Sequence, residues 1–214
     1  LAPLAASKAV LSKRQKELRV ILIDIGGGTT SVAIFEENDL LHTAILPIGG
    51  NNITNDIAIG LRTSIEVAEK VKLEYGSALP SEVSKKEDIN LAEIDANEDG
   101  LVSRHHVAEI IEARLEEIFF MVNKELKIIG RDKLLPAGII LTGGTAKISG
   151  SVDLAKNTLA LPAQTGFPLP MGGLVDKIDD PAFATAAGLL LWDLDNSGAR
   201  RGMGAGNRIV GNIS

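Results

Sequence analysis

Two short apolar runs, over a hundred residues apart, each lead into consecutive glycines, and this pairing limits the possible folds more than any other feature of the chain. The first run, Val20-Ile-Leu-Ile-Asp24, leads into Gly26-Gly27-Gly28-Thr29-Thr30. The second, Ala137–Leu141, leads into Thr142-Gly143-Gly144-Thr145. Continuous apolar runs rich in β-branched residues read as strands covered on both faces. Consecutive glycines at a strand end let the backbone turn with several N–H groups aimed one way, and such a nest binds anions. In an open sheet, ligands sit beyond the carboxyl ends of the strands, where both bends fall. Either bend alone could be an ordinary turn. Together, over a hundred residues apart, they make a much stronger case for a binding site than either does alone.

The remaining patterning places these strands in a larger frame. Leu4–Leu18 has helical spacing. Ser31–Glu36 and Leu40–Pro47 read as strands joined by a turn at Asn38-Asp39. From Asn51 the apolar period becomes helical through Ile53, Ile57, Leu61, Ile65, Ala68, Val71 and Tyr75, with Gly76 as the stop. Ile89–Ile94 and Leu101–Val102 read as short strands around a turn at Asn97–Gly100. A long amphipathic helix is expected over Arg104–Ile128, with Val107, Ile111, Leu115, Ile118, Val122 and Leu126 as its apolar stripe. Val152–Leu161 is helical, Pro162–Gly173 irregular, and Asp180-Pro181 opens a small-residue helix ending at Trp192. The expected class is therefore α/β. Residues 19–50 and 137–192 form a mixed-sheet subdomain, 51–136 an inserted α+β lobe, 1–18 a connecting helix and 193–214 a flexible tail too poor in apolar residues to pack.

Residue chemistry narrows the function. A carboxylate at Asp24 would repel phosphate unless a metal lay between them, so Asp24 beside an anion nest suggests a metal–nucleotide complex. No Lys-Ser/Thr completes a P-loop, and a strand follows where a dinucleotide fingerprint needs a helix. Gly143 and Gly144 would let a flat ring lie against the backbone. Glu69 and Lys72, three apart, share a helix side, a spacing that by itself reads as a surface ion pair. Asp95-Ala-Asn97-Glu-Asp99-Gly100 starts like a calcium loop but has His106 where the bidentate Glu belongs, so it reads as a turn. His105 and His106 have no companions at metal-ligand spacing and read as solvated. A net charge of −6 argues against a nucleic-acid binder. The absence of cysteine excludes disulfides, and no run approaches the ~20 apolar residues of a membrane span. The chain opens on Leu1 and reads as starting mid-protein.

The strand–Asp24-x-Gly-Gly-Gly-Thr29 and strand–Thr142-Gly-Gly-x-x-x-x-x-Gly150 motifs resemble the second phosphate motif and the adenosine motif of the actin, Hsp70 and sugar-kinase superfamily. Within it, residues 46–58, residues 4–11 and the Ala182–Leu191 stretch with Gly188 resemble the FtsA family of bacterial division proteins, second half only. The resemblance implies an actin-like, ribonuclease H-like fold and ATP with Mg²⁺ as ligands. It implies that Asp24 positions Mg²⁺ and water, Gly26, Gly27, Gly28, Thr29 and Thr30 hold phosphates, and Glu69, Lys72, Gly143, Gly144 and Thr145 border the adenosine. It further implies a cytoplasmic scaffold, peripheral on the inner face of the membrane at the division site through a segment not present here. Such a scaffold would self-associate into filaments, hydrolyse ATP weakly at most, and receive the C-terminal tail of FtsZ at Arg114 and Glu117. A solvated charged face is the other reading of that helix. A superfamily kinase or phosphatase, an Hsp70-like ATPase and a PilM-like protein are the alternatives. With half the cleft missing, weak ATP binding is expected of this chain alone.

Overall fold

The computed structural model describes residues 1–170 and 179–204, the last ten of these by backbone alone. Its centre is a five-stranded sheet of order β3-β2-β1-β6-β7. β1 (Val20–Ile25), β2 (Thr30–Glu36) and β3 (Asp39–Leu46) form an antiparallel meander, with a register shift between Ile34 and Phe35. β6 (Ile139–Thr142) joins β1 in parallel, and β7 (Ala163–Thr165) joins β6 in parallel. Between β3 and β6 lies a block of helices with a small hairpin, β4 (Asp88–Asn90) with β5 (Leu101–Ser103).

Alternation along the strands feeds two cores. Ile21, Ile23, Ile25, Val32, Ile34, Ile139 and Leu141 face one side. There they pack with α3 (Gly50–Leu61), α4 (Ile65–Tyr75), α6 (Arg104–Ile128) and α7 (Ser151–Leu159), in one continuous cluster that includes Ile53, Ile57, Ile111, Leu115, Phe119 and Leu154. Val20, Leu22, Ala33, Phe35 and Ile140 face the other side, against α1 (Ala2–Val10) and the last helix, α8 (Ala184–Gly204). Both faces are covered, which is why β1 reads as an unbroken apolar run.

Several elements differ from the sequence expectation. The Leu4–Leu18 helix is two helices, α1 and α2 (Lys13–Glu17); Ser12 breaks it by capping α2, with Gln15 completing a capping box. The helical stretch after Asn51 divides at Arg62, which is left-handed at φ 57°, and Ser64 caps α4. Ile89–Ile94 is not one strand: after β4, Asn90 caps a single helical turn, α5 (Leu91–Ile94). β7 lies in the stretch read as irregular. α8 runs on to Gly204, so residues 193–204 are helical where a flexible tail was expected; 205–214 lie outside the described residues.

α1 and α8 approach closely because small residues line their contact. Ala5, Ala6 and Ala9 are fully buried, and a Cβ at Gly188 would lie 1.7 Å from the Ala5 carbonyl oxygen. Gly188→Ala therefore forces the helices apart and is expected to cost about 2 kcal/mol, read as a lower urea midpoint at unchanged slope.

Candidate functional site

The parallel pairing of β1 with β6 sets Asp24 opposite Thr142, so the two glycine bends leave the sheet side by side. The Thr145 hydroxyl donates to Gly26 O at 3.2 Å and ties one bend to the other. In the first bend, Gly26 N–H donates back to Thr29 O at 2.9 Å. The amides of Gly27, Gly28 and Thr29 make no backbone hydrogen bond among the described residues, and all three residues are exposed. These free donors at a tight turn form an anion nest.

A third run of consecutive glycines, Gly49-Gly50, completes the site. Gly49 and Gly50 lead into α3, where Gly50 N–H donates to Gly26 O at 2.9 Å and Asn51 N–H to Gly27 O at 2.8 Å. A Cβ at Gly49 would sit 2.6 Å from both Gly26 O and Gly27 O, and one at Gly50 would sit 2.5 Å from Thr145 Oγ1. Three backbone segments thus meet with no room for a side chain at either glycine. The available signal was the doubled glycine at a strand-to-helix joint, which marks a close backbone approach as readily as a turn.

Asp24, the next-to-last residue of β1, is half-buried. Its Oδ2 accepts a hydrogen bond from Thr185 Oγ1 at 2.9 Å, and its Oδ1 accepts none among the described residues. Burial pushes this carboxyl above the usual range, and the Thr185 hydrogen bond opposes that rise. One free carboxylate oxygen beside a nest of amides fits a hydrated Mg²⁺ carrying phosphates.

In the second bend Gly143 is buried at φ 89°, with its N–H on Pro181 O at 3.1 Å. Gly144 is exposed, and nothing lies within 4 Å of where its Cβ would be, which leaves a bare backbone face for a planar ring. Thr30 departs from the expected set. It is fully buried, and its hydroxyl donates to Ile48 O at 2.8 Å, so it secures the sheet and does not face the hollow.

Glu69 and Lys72, on α4, do meet at the same place. Lys72 Nζ is 2.6 Å from Glu69 Oε2, 2.8 Å from Thr54 Oγ1 and 3.2 Å from Gly50 O. Thr54 also hydrogen-bonds Glu69 Oε2. Burial pushes the Glu69 carboxyl up, but hydrogen bonds from Lys72 and Thr54, with the ammonium's charge, outweigh it and hold it below the usual range. A depressed carboxyl contributes stability above its unfolded value and loses it on acidification. The stability margin of the unsubstituted chain over Glu69→Gln should therefore hold at pH 7 and shrink as pH falls below about 4, measured by urea denaturation.

Arg114 and Glu117 lie elsewhere, on α6. The Arg114 guanidinium binds Asp56 of α3 through two hydrogen bonds of 2.6 and 2.9 Å and also pairs with Glu117. They border an open groove of about 450 Å³ with Ile59, Gly60, Ile110 and Ala113 in its lining. Apolar residues framed by charge in this way suit a short peptide.

Comparison with known proteins follows the same outline. A family model described as cell division protein FtsA matches residues 21–188. The FtsA of Pseudomonas aeruginosa is 42% identical over 91% of this chain, and that of Bacillus subtilis 42% identical over 92%. The chain spans less than half the length of these relatives, 46% and 43% respectively. Among solved structures, MreB5 of Spiroplasma citri bound to ADP superposes with a TM-score of 0.69 at 17% identity, covering 94% of this chain and 60% of that one.

Proposed function

The chain belongs to the FtsA family of cell division proteins and has an actin-like fold, and from this premise we propose that it supplies one wall of an ATP site in a division scaffold. The observation that carries the reading is the junction of the two bends, joined by the Thr145–Gly26 hydrogen bond at the carboxyl ends of adjacent parallel strands. The amides of Gly27, Gly28 and Thr29, with Gly26 shaping the turn, would hold phosphate oxygens. Asp24 would hold Mg²⁺ through water by its free oxygen, and the metal would neutralise phosphate charge. Gly143, Gly144 and Thr145 would border the adenine. Glu69, with Lys72 behind it, would reach the nucleoside.

The wider role follows from the family. The protein would assemble into filaments on the inner face of the membrane at the division site, with ATP tuning assembly and turning over slowly if at all. Among the described residues no helix is long and apolar enough to cross a membrane. The groove between α3 and α6 would seat the C-terminal tail of FtsZ, with Arg114 and Glu117 at its rim.

Two measurements test this. In amide NMR of the chain with millimolar Mg²⁺–ATP, the signals of Gly26–Thr29 and Gly143–Thr145 should move together; movement at neither bend sinks the nucleotide reading. Arg114→Ala should weaken binding of an FtsZ C-terminal peptide at least ~tenfold by fluorescence anisotropy and leave the ATP response intact. Equal affinity in the two chains would remove Arg114 from the partner site.

A further inference from the structure

Lysine's ammonium carries three donors and no acceptor. All three are used at Lys72, on Gly50 O, Thr54 Oγ1 and Glu69 Oε2, and the side chain is only 7% exposed. In this arrangement no donor is left over for a ribose or a phosphate. Glu69 differs: its side chain is 41% exposed, and its Oε1 accepts no hydrogen bond among the described residues.

Gly50, the backbone acceptor of the three, sits where the other parts of the site converge. Its N–H holds Gly26 O, the next amide holds Gly27 O, and the space its Cβ would fill is taken by Thr145 Oγ1. Lys72 thus reaches from α4 to the one turn of backbone that supports the phosphate bend. Its charge is placed against local electrostatics, because a cation beside a helix N-terminus opposes the helix dipole. Glu69 and Thr54 compensate for it.

We propose that Lys72 and Thr54 form a latch, with Lys72 a positioning residue that touches no nucleotide and instead pins to α4 the first turn of α3, whose Gly50 and Asn51 amides carry the phosphate bend, while aiming the free oxygen of Glu69 outward. This deepens the ATP reading given above and rests on it. The latch couples the two ends of the site. Whatever draws Glu69 toward a nucleoside also pulls on Lys72, and through Gly50 on the Gly26–Thr29 turn.

The test uses the whole chain with Lys72→Met, Thr54→Val and Glu69→Gln. Hydrogen exchange of the Gly50 and Asn51 amides should quicken ~tenfold in Lys72→Met and by less in Thr54→Val, which keeps the charge. Amides of α6 around Phe119 should keep their protection, which shows that the fold is intact. Inorganic tripolyphosphate, which has no ribose, is the second probe. Its shifts at Gly26–Thr29 should weaken in Lys72→Met and Thr54→Val and persist in Glu69→Gln. Unchanged exchange at Gly50 and Asn51 in both latch variants would overturn the proposal, as would a tripolyphosphate response indifferent to Lys72→Met. Absence of any response to ATP or tripolyphosphate in the unsubstituted chain, with quickened exchange in the variants, would instead overturn the nucleotide reading and leave the latch standing as a purely mechanical tie.

Discussion

The hydrogen-bonded pairing of β1 with β6 is the constraint on which the rest depends. These strands are far apart in sequence, and the helical block between them must fold back before they can meet. Their register, Asp24 opposite Thr142, fixes which residues stand at the carboxyl ends of the two strands. A slip by one position would turn Ile21, Ile23 and Ile25 out of the larger core, so hydrophobic burial on both faces enforces the alignment. The site therefore inherits its precision from the packing of apolar residues that take no part in it.

Around that register the site is built mainly from backbone. Gly26, Gly27, Gly49, Gly50 and Gly143 bring main chain against main chain, and Thr145 and Lys72 bridge the seams. A backbone site has few rotamers to order when an anion arrives, which lowers the entropic cost of binding. It is also intolerant at Gly49, Gly50 and Gly143, where the space a Cβ would need is already taken by an oxygen atom.

What could be read from residues alone depended on whether the signal was periodic. Arg104–Ile128 has the same limits in sequence and structure because Val107, Ile111, Leu115 and their successors to Leu126 repeat at helical spacing for more than five turns. β1 was legible from its continuous apolar run. The break at Arg62 was not, because the apolar period of α3 resumes in α4 almost in phase across a three-residue joint. α5 is a single turn and has no period to detect. At the site, the residue types of both bends were visible, but the direction of a side chain was not. Thr30 and Thr29 are neighbours of one type, yet one hydroxyl is buried against Ile48 and the other residue lies in the open. The occupancy of the Lys72 donors depends on contacts across 18 and 22 residues, which no local spacing encodes.

The two-sided covering of the sheet has a further effect. The α1–α8 pair occupies one side, and the α3–α6 groove belongs to the helices on the other. A peptide seated in that groove and a body resting on the outer surfaces of the first and last helices would have the full thickness of the sheet between them. Neither would crowd the other.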